Sequence, residues 1–227
     1  ISNKTNTEVA VERLFITFDG NIQLEGLYLE DTKGDTLIYS KSLEANVPLW
    51  AMIRGEGLGV DALDLEGVRA NIIRKDSISG YNFQFLIDAF VTPDSTTVAT
   101  DTTTAPLNMV LGKFNFKDID VVFEDAVIGI DSRFKVGGLY AKMKTTDLEN
   151  MVFEVADLEL SNSNIKFIQS PVPVIPIEDP APLPTMSVEN IKLNNVYVDY
   201  QSYGDRIAAT VDIKHLEADI PKVNLAE

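Results

Sequence analysis

The chain has 227 residues and is 45% hydrophobic, enough for one large all-β domain or two smaller ones with a real core. Its net charge of −16 and pI near 4.4 argue against nucleic acid, whose binders need a basic footprint, and against electrostatic attachment to anionic lipid. The absence of cysteine excludes disulfides and thiolate metal sites, and no apolar run approaches the ~20 residues of a spanning helix.

Residues 1–8 are polar. Leu14, Ile16 and Phe18 alternate as a first strand, and Asp19-Gly20-Asn21 is a turn signal. Ile22 to Glu30 follows as a strand, and Lys33-Gly34-Asp35 turns the chain again. A long strand is expected over Thr36–Val47, because Leu37 and Tyr39, then Leu43, Ala45 and Val47, keep one parity. A short helix is expected near 48–54, with Pro48 in its permissive first turn and the lone Trp50 packing it onto the sheet.

The next stretch, Leu63 to Arg74, organises the reading. Leu63 and Leu65 alternate, Glu66-Gly67 interrupts, and alternation resumes out of phase at Val68, Ala70 and Ile72. A one-residue slip moves an apolar set to the other face of a strand unless something corrects it. Glu66-Gly67 is therefore a bulge in one long strand or a two-residue hairpin, and the bulge is the preferred reading. Asn82 is placed to cap a second helix over 82–90, whose Phe83, Leu86, Ile87 and Phe90 form a helical stripe suited to covering a groove.

Residues 92–106, rich in Thr, Ser and Asp, read as a mobile loop separating an N-terminal part, 1–91, from a C-terminal part, 107–227. The second part reads as strands over Leu111–Glu124, Ser132–Lys144, Met151–Gln169, Met186–Gln201 and Arg206–Ile220. Six prolines make 170–185 a polyproline-like excursion, read as a stiff spacer.

The phrase around Leu65 recurs around Leu24, Phe116, Leu160 and Leu193. A second phrase is interleaved: Leu43-Glu-Ala45-Asn-Val47-Pro, Leu139-Tyr-Ala141-Lys-Met143 and Leu216-Glu-Ala218-Asp-Ile220-Pro. Self-similarity at roughly 30 to 50 residues favours a stacked β-array over an ordinary sandwich.

No catalytic constellation emerges: no nucleophile elbow, Walker loop or zincin helix, and His215 is the only histidine. Asp118 and Asp120 are acids on one strand, but in every phrase acids fill the positions between apolar ones, as on a solvated face. No metal site and no cofactor are expected. What remains is the apolar face: Leu24, Leu27 and Leu29; Leu65, Val68 and Ile72; Phe116, Ile119, Val121 and Phe123; Leu160, Ile165 and Phe167; Leu193, Val196 and Val198. Two short helices are too few to cover about ten strands, so the strands must pack sheet on sheet or curl into a trough able to hold apolar guests.

The phrases EGLYLEDTKGDTLIYSKSLEANVPL and LGVDALDLEGVRANIIRKDSISGYNFQFLIDAF, with the later repeats, resemble the AsmA-like/TamB family of bacterial envelope proteins in its Bacteroidota form, most clearly over residues 10–90. The resemblance implies an all-β, elongated, twisted, U-shaped groove of about ten mostly antiparallel strands. It also implies a periplasmic location, an upstream inner-membrane anchor, a downstream outer-membrane partner of the BamA-like barrel class, and phospholipid acyl chains moving along the groove. The chain opens without Met and ends on Asn-Leu-Ala-Glu, and is read as an excerpt of a longer protein. The competing readings are an assembly scaffold for outer-membrane proteins and a carbohydrate-binding or carbohydrate-acting β domain.

Overall fold

The computed structural model describes residues 7–17, 20–47, 59–86, 110–147, 152–172 and 185–220. Ten strands are present among them: β1 (Val9–Ala10), β2 (Arg13–Ile16), β3 (Asn21–Glu30), β4 (Thr36–Asn46), β5 (Gly59–Arg74), β6 (Val110–Asp125), β7 (Ile130–Asp147), β8 (Val152–Gln169), β9 (Thr185–Ser202) and β10 (Ile207–Asp219). They form a single open, twisted sheet in which β3 to β10 lie in chain order, with β1 and β2 both on the outer side of β3. The expected helix at 48–54 and the loop at 92–106 lie outside the described residues, as do 173–184 of the proline-rich stretch. Of the expected 82–90 helix, residues 84–86 are helical and 87–90 lie outside them.

Taking β3 as running up, β5, β6, β8 and β9 also run up, while β1, β2, β4, β7 and β10 run down. Two pairs, β5–β6 and β8–β9, are parallel. A parallel pair needs a crossover of a dozen or more residues. The two pairs fall where the chain has its long connections, 75–109 and 170–184. The proline-rich stretch is thus the return path between parallel neighbours.

The parity slip has a single structural cause. Gly26, Gly67, Asp118, Asn162 and Asn195 all have φ between 49° and 65°. Each sits two positions after the apolar residue that anchors its phrase, and each lies on an up strand. The registers place all five on one line across the sheet, which crosses the down strands at Lys41, Gly137 and Lys214. Asn and Asp tolerate the left-handed region better than other side chains. On β5, glycine is also needed for space, since a Cβ at Gly67 would stand 2.8 Å from that of Lys41. Strand β5 runs unbroken through this point, which excludes the hairpin. Because every neighbour slips on the same line, the register with β6 continues from Glu66↔Lys117 to Val68↔Ile119. The sheet turns a corner here, and both of its arms keep their apolar residues on one face.

Burial locates the inside of that corner. The row just past it runs Leu27, Ser40, Val68, Ile119, Val136, Ser163, Val196 and Ile213. It contains some of the most buried side chains of the molecule, with Val196 and Ser40 each 2% exposed. Small and β-branched residues suit the crowded angle, and the two buried serines satisfy themselves locally. Ser40 Oγ donates to the Ser42 carbonyl at 3.0 Å, and Ser163 Oγ to the Ser161 carbonyl at 2.9 Å. The result is a two-walled trough, its long axis crossing nine strand positions, so it is roughly 40 Å long at about 4.8 Å per strand.

Candidate functional site: the apolar face of the trough

The inner face is built from rows that run along the trough. One joins Leu14, Leu24, Leu43, Leu65, Phe116, Leu139, Leu160, Leu193 and Leu216, each the register partner of the next. A parallel row nearer the rim of the same wall joins Ile22, Ala45, Leu63, Phe114, Ala141, Leu158, Ile191 and Ala218. On the second wall, Val9, Leu29, Ile38, Ala70, Val121, Phe134, Ile165, Val198 and Val211 form another. Nearer the rim come Ile72, Phe123, Ser132, Phe167, Tyr200 and Ala209.

Of the sixteen groove residues expected from the sequence, twelve stand in these rows, and Leu27, Val68, Ile119 and Val196 stand in the row at the corner. They differ in what a guest could touch. Leu24, Leu65, Phe116, Leu160 and Leu193 are half-buried, as are Val121, Phe123, Ile165, Phe167 and Val198. Leu27, Ile72 and Ile119 are half-buried too. Leu29 on the second wall is buried, and Val68 and Val196 are buried as the floor of the angle. The strands contact one another substantially only within the sheet, so among the described residues no second layer of strands lies on this face. Residues of the down strands complete each row: Leu43, Leu139 and Leu216 on the first wall, Phe134 and Val211 on the second. Leu43, Leu139 and Leu216 belong to the second repeated phrase, which was visible in the sequence but pointed to no face; Phe134 and Val211 lie outside it.

The helical stripe begins at one rim. Tyr81 stacks on Phe83 with centroids 5.1 Å apart, and its ring lies 6.2 Å from that of Phe123 on the inner face. Leu86 is half-buried, while Ile87 and Phe90 lie outside the described residues. Asn82 does not serve as a free helix cap. Its Oδ1 accepts from the Ile73 amide at 3.0 Å and its Nδ2 donates to the Asn71 carbonyl at 2.8 Å, fastening the segment to β5.

Below that segment sits a sealed ion pair. Asp125 is fully buried and accepts from Arg74 Nε (2.8 and 2.9 Å), from the Tyr81 hydroxyl (2.6 Å) and from the Val127 amide (3.0 Å). Burial pushes its carboxyl up, but the hydrogen bonds from Arg74, Tyr81 and the Ile128 and Val127 amides outweigh that and hold it below its ordinary value. Arg74 also lies over the Tyr81 ring, 4.7 Å from its centroid.

The outer face is charged and self-paired. Arg69 forks onto Asp118 at 2.9 and 3.0 Å, Arg133 donates to both carboxylate oxygens of Asp120, and Lys192 meets Glu217 at 2.9 Å. Asp118 and Asp120 are therefore each held by a separate arginine. Every carboxylate whose titration is displaced is displaced downward, as at Asp120 beside Arg133. His215 is exposed, its Nδ1 2.7 Å from Asn194 Oδ1. Among the described residues no cluster of acids or histidine is arranged to hold a metal ion, and no helix is long and apolar enough to cross a membrane.

What the arrangement offers chemically is a greasy track, continuous from β2 to β10 and half open to solvent, backed by a hydrophilic outer shell. In comparisons with known proteins, no family model matches the chain and no curated protein resembles it.

Proposed function

We propose that this chain is a segment of a periplasmic conduit that carries phospholipid between the inner and outer membranes, with acyl chains lying in the trough. On this reading an inner-membrane anchor precedes it and a BamA-like barrel partner follows it. The observation that carries the reading is the row from Leu24 to Leu193. Its large apolar side chains stand in register on neighbouring strands and remain half-exposed, although a closed core would have consumed them. Rows that run along the trough, with no polar step between Leu65, Phe116, Leu139 and Leu160, let an acyl chain slide from strand to strand at nearly constant free energy. Headgroups would stay in water at the rims.

The test is site-specific photo-crosslinking in the native envelope. A photoreactive residue at Phe116 or Leu160 should capture phospholipid, whereas one at Lys117 or Glu159, on the outer face, should not. Phe116→Arg should abolish capture from Leu160 while leaving the far-UV spectrum unchanged. Equal capture from both faces, or none from either, overturns the reading.

A further inference from the structure

We propose that a cleft at the rim of the second wall binds an aminoalkyl phosphate, a zwitterion of the phosphoethanolamine type, carried as a phospholipid headgroup or free in solution. The inference deepens the conduit reading and rests on it for the lipid source, while the chemistry of the cleft stands apart from it.

The cleft opens where β4 stops short. Strand β4 begins at Thr36, while β5 runs on to Arg74. The edge of β5 left beyond β4 is taken by the returning chain, through the Arg74↔Tyr81 bridge and the Asn82 amide, which donates to the Ile73 carbonyl at 2.8 Å. A space of about 330 Å³ remains between this returning segment and the β3–β4 turn, Asp31 to Asp35. Small-molecule sites run from roughly 300 to 1,000 Å³, so this one suits a headgroup and not a whole lipid.

Asp31 lines the cleft and is only 6% exposed. Its Oδ1 accepts from the Lys33 and Asp35 amides at 2.8 and 3.0 Å, which fixes the carboxylate. No donor among the described residues reaches its Oδ2, and that atom is not sealed from solvent. A buried carboxylate with one oxygen open calls for a charged N–H donor. Lys33 stands on one lip and Lys75 on the other, both exposed. Neither is ion-paired to a carboxylate among the described residues. Asp76, also at the cleft, is taken up by its own loop, accepting from the Ser79 and Ile78 amides at 2.7 and 2.9 Å.

Charge decides what fits. Asp31, Asp35 and Asp76 outnumber the two lysines, in a chain of net charge −16, so a bare anion is repelled. A bare cation leaves the lysines unused, and no cluster arranged to hold a metal ion exists among the described residues. A molecule carrying both signs answers both groups. A quaternary ammonium has no N–H for Asp31 and needs an aromatic cage. The Tyr81 ring already carries Arg74 and Phe83, which leaves Phe85 alone. Tyr81 also joins the cleft to the trough, its ring 6.2 Å from that of Phe123 on the inner face. A headgroup held here has its acyl chains beside Phe123.

The test is a titration of the intact protein with O-phosphoethanolamine, followed by amide NMR. Binding should saturate and shift the amides of 31–35 and 75–82. Asp31→Asn keeps an acceptor oxygen for the turn and removes the charge. It should weaken binding at least about tenfold, as the loss of one charge-assisted hydrogen bond does. The exposed pair Lys33→Gln and Lys75→Gln, which leaves the fold untouched, should do the same. Inorganic phosphate and phosphocholine should each bind at least about tenfold more weakly than phosphoethanolamine. Dihexanoyl phosphatidylethanolamine separates the sources. Tighter binding with shifts reaching Phe123 identifies the headgroup, equal affinity identifies the free compound, and both support the site. No saturable binding, phosphate or phosphocholine binding as well as phosphoethanolamine, or lysine variants that bind like wild type would each overturn it. Loss of headgroup binding with lipid still captured at Phe116 removes the cleft alone. Loss of capture with headgroup binding intact removes the conduit alone.

Discussion

Asn162 and Asn195 are neighbours on the parallel strands β8 and β9, both left-handed, and the side-chain amide of Asn195 donates to Oδ1 of Asn162 at 3.2 Å. Two strands running the same way turn the same corner by the same device, side by side. A row of such residues makes the fold of the trough a property of the whole sheet.

The conformation at this corner, more than the amide contact, should set the stability. Asn195→Gly keeps the left-handed backbone at little cost and should change the urea midpoint slightly. Asn195→Val puts a β-branched side chain where such residues are true outliers, and should lower stability by about 1–3 kcal/mol. Equal losses from both variants would mean that the Asn–Asn hydrogen bond, and not the backbone, holds the turn.

Leu139 should behave as a groove residue although its phrase did not declare a face. It stands between Phe116 and Leu160 on the first wall. Leu139→Arg should reduce phospholipid capture by a crosslinker at Leu160 as strongly as Phe116→Arg does. Tyr140→Arg, one position on and facing outward, should leave capture intact. Undiminished capture in Leu139→Arg would separate the row geometry from lipid contact.

Much of this was legible because the slip at Glu66-Gly67 has to be corrected, and five copies of it imply one shared correction. The five phrases prove to be the up strands and the three interleaved phrases the down strands. Strand direction itself was hidden by symmetry. Apolar, two outward residues, apolar reads the same both ways, so a parallel and an antiparallel neighbour align the rows equally well. The two parallel pairs therefore left no trace in the periodicity, and the prolines of 170–185 read as a spacer instead of a crossover. The Arg74–Asp125–Tyr81 cluster was illegible for another reason. Its members are brought together only by the β5–β6 register and by the return of the chain after β5.

Ser132 presents a small defect that can be removed. It lies in the second-wall row between Phe123 and Phe167, 1% exposed, and its hydroxyl has no hydrogen-bond partner. A buried unpaired polar group costs about 1–3 kcal/mol. Ser132→Ala should therefore stabilise the protein by about 1 kcal/mol, raising Tm by about 2–4 °C in a chain of this size. A lower Tm would show that the hydroxyl finds a partner in solution.

The cluster at the rim makes a prediction about acid. Asp125 titrates in the folded protein below its ordinary 3.8, because Arg74, Tyr81 and two backbone amides together outweigh the cost of its burial. A depressed carboxyl contributes stability that is fully present above the unfolded value and is lost as pH falls through the folded one. The contribution should be constant from pH 8 to pH 5 and disappear progressively below about 3.8. Asp125→Asn leaves the Arg74 guanidinium, itself 22% exposed, without its counter-charge. Removing one partner of a buried pair costs about 3–5 kcal/mol, and the partial exposure of Arg74 places this site at the low end. Denaturant midpoints measured from pH 2.5 to 7 should converge for wild type and Asp125→Asn at the acid end and separate above it. Curves that stay parallel over the whole range would show that the cluster holds the crossover onto the rim by packing, with no contribution from the charge on Asp125.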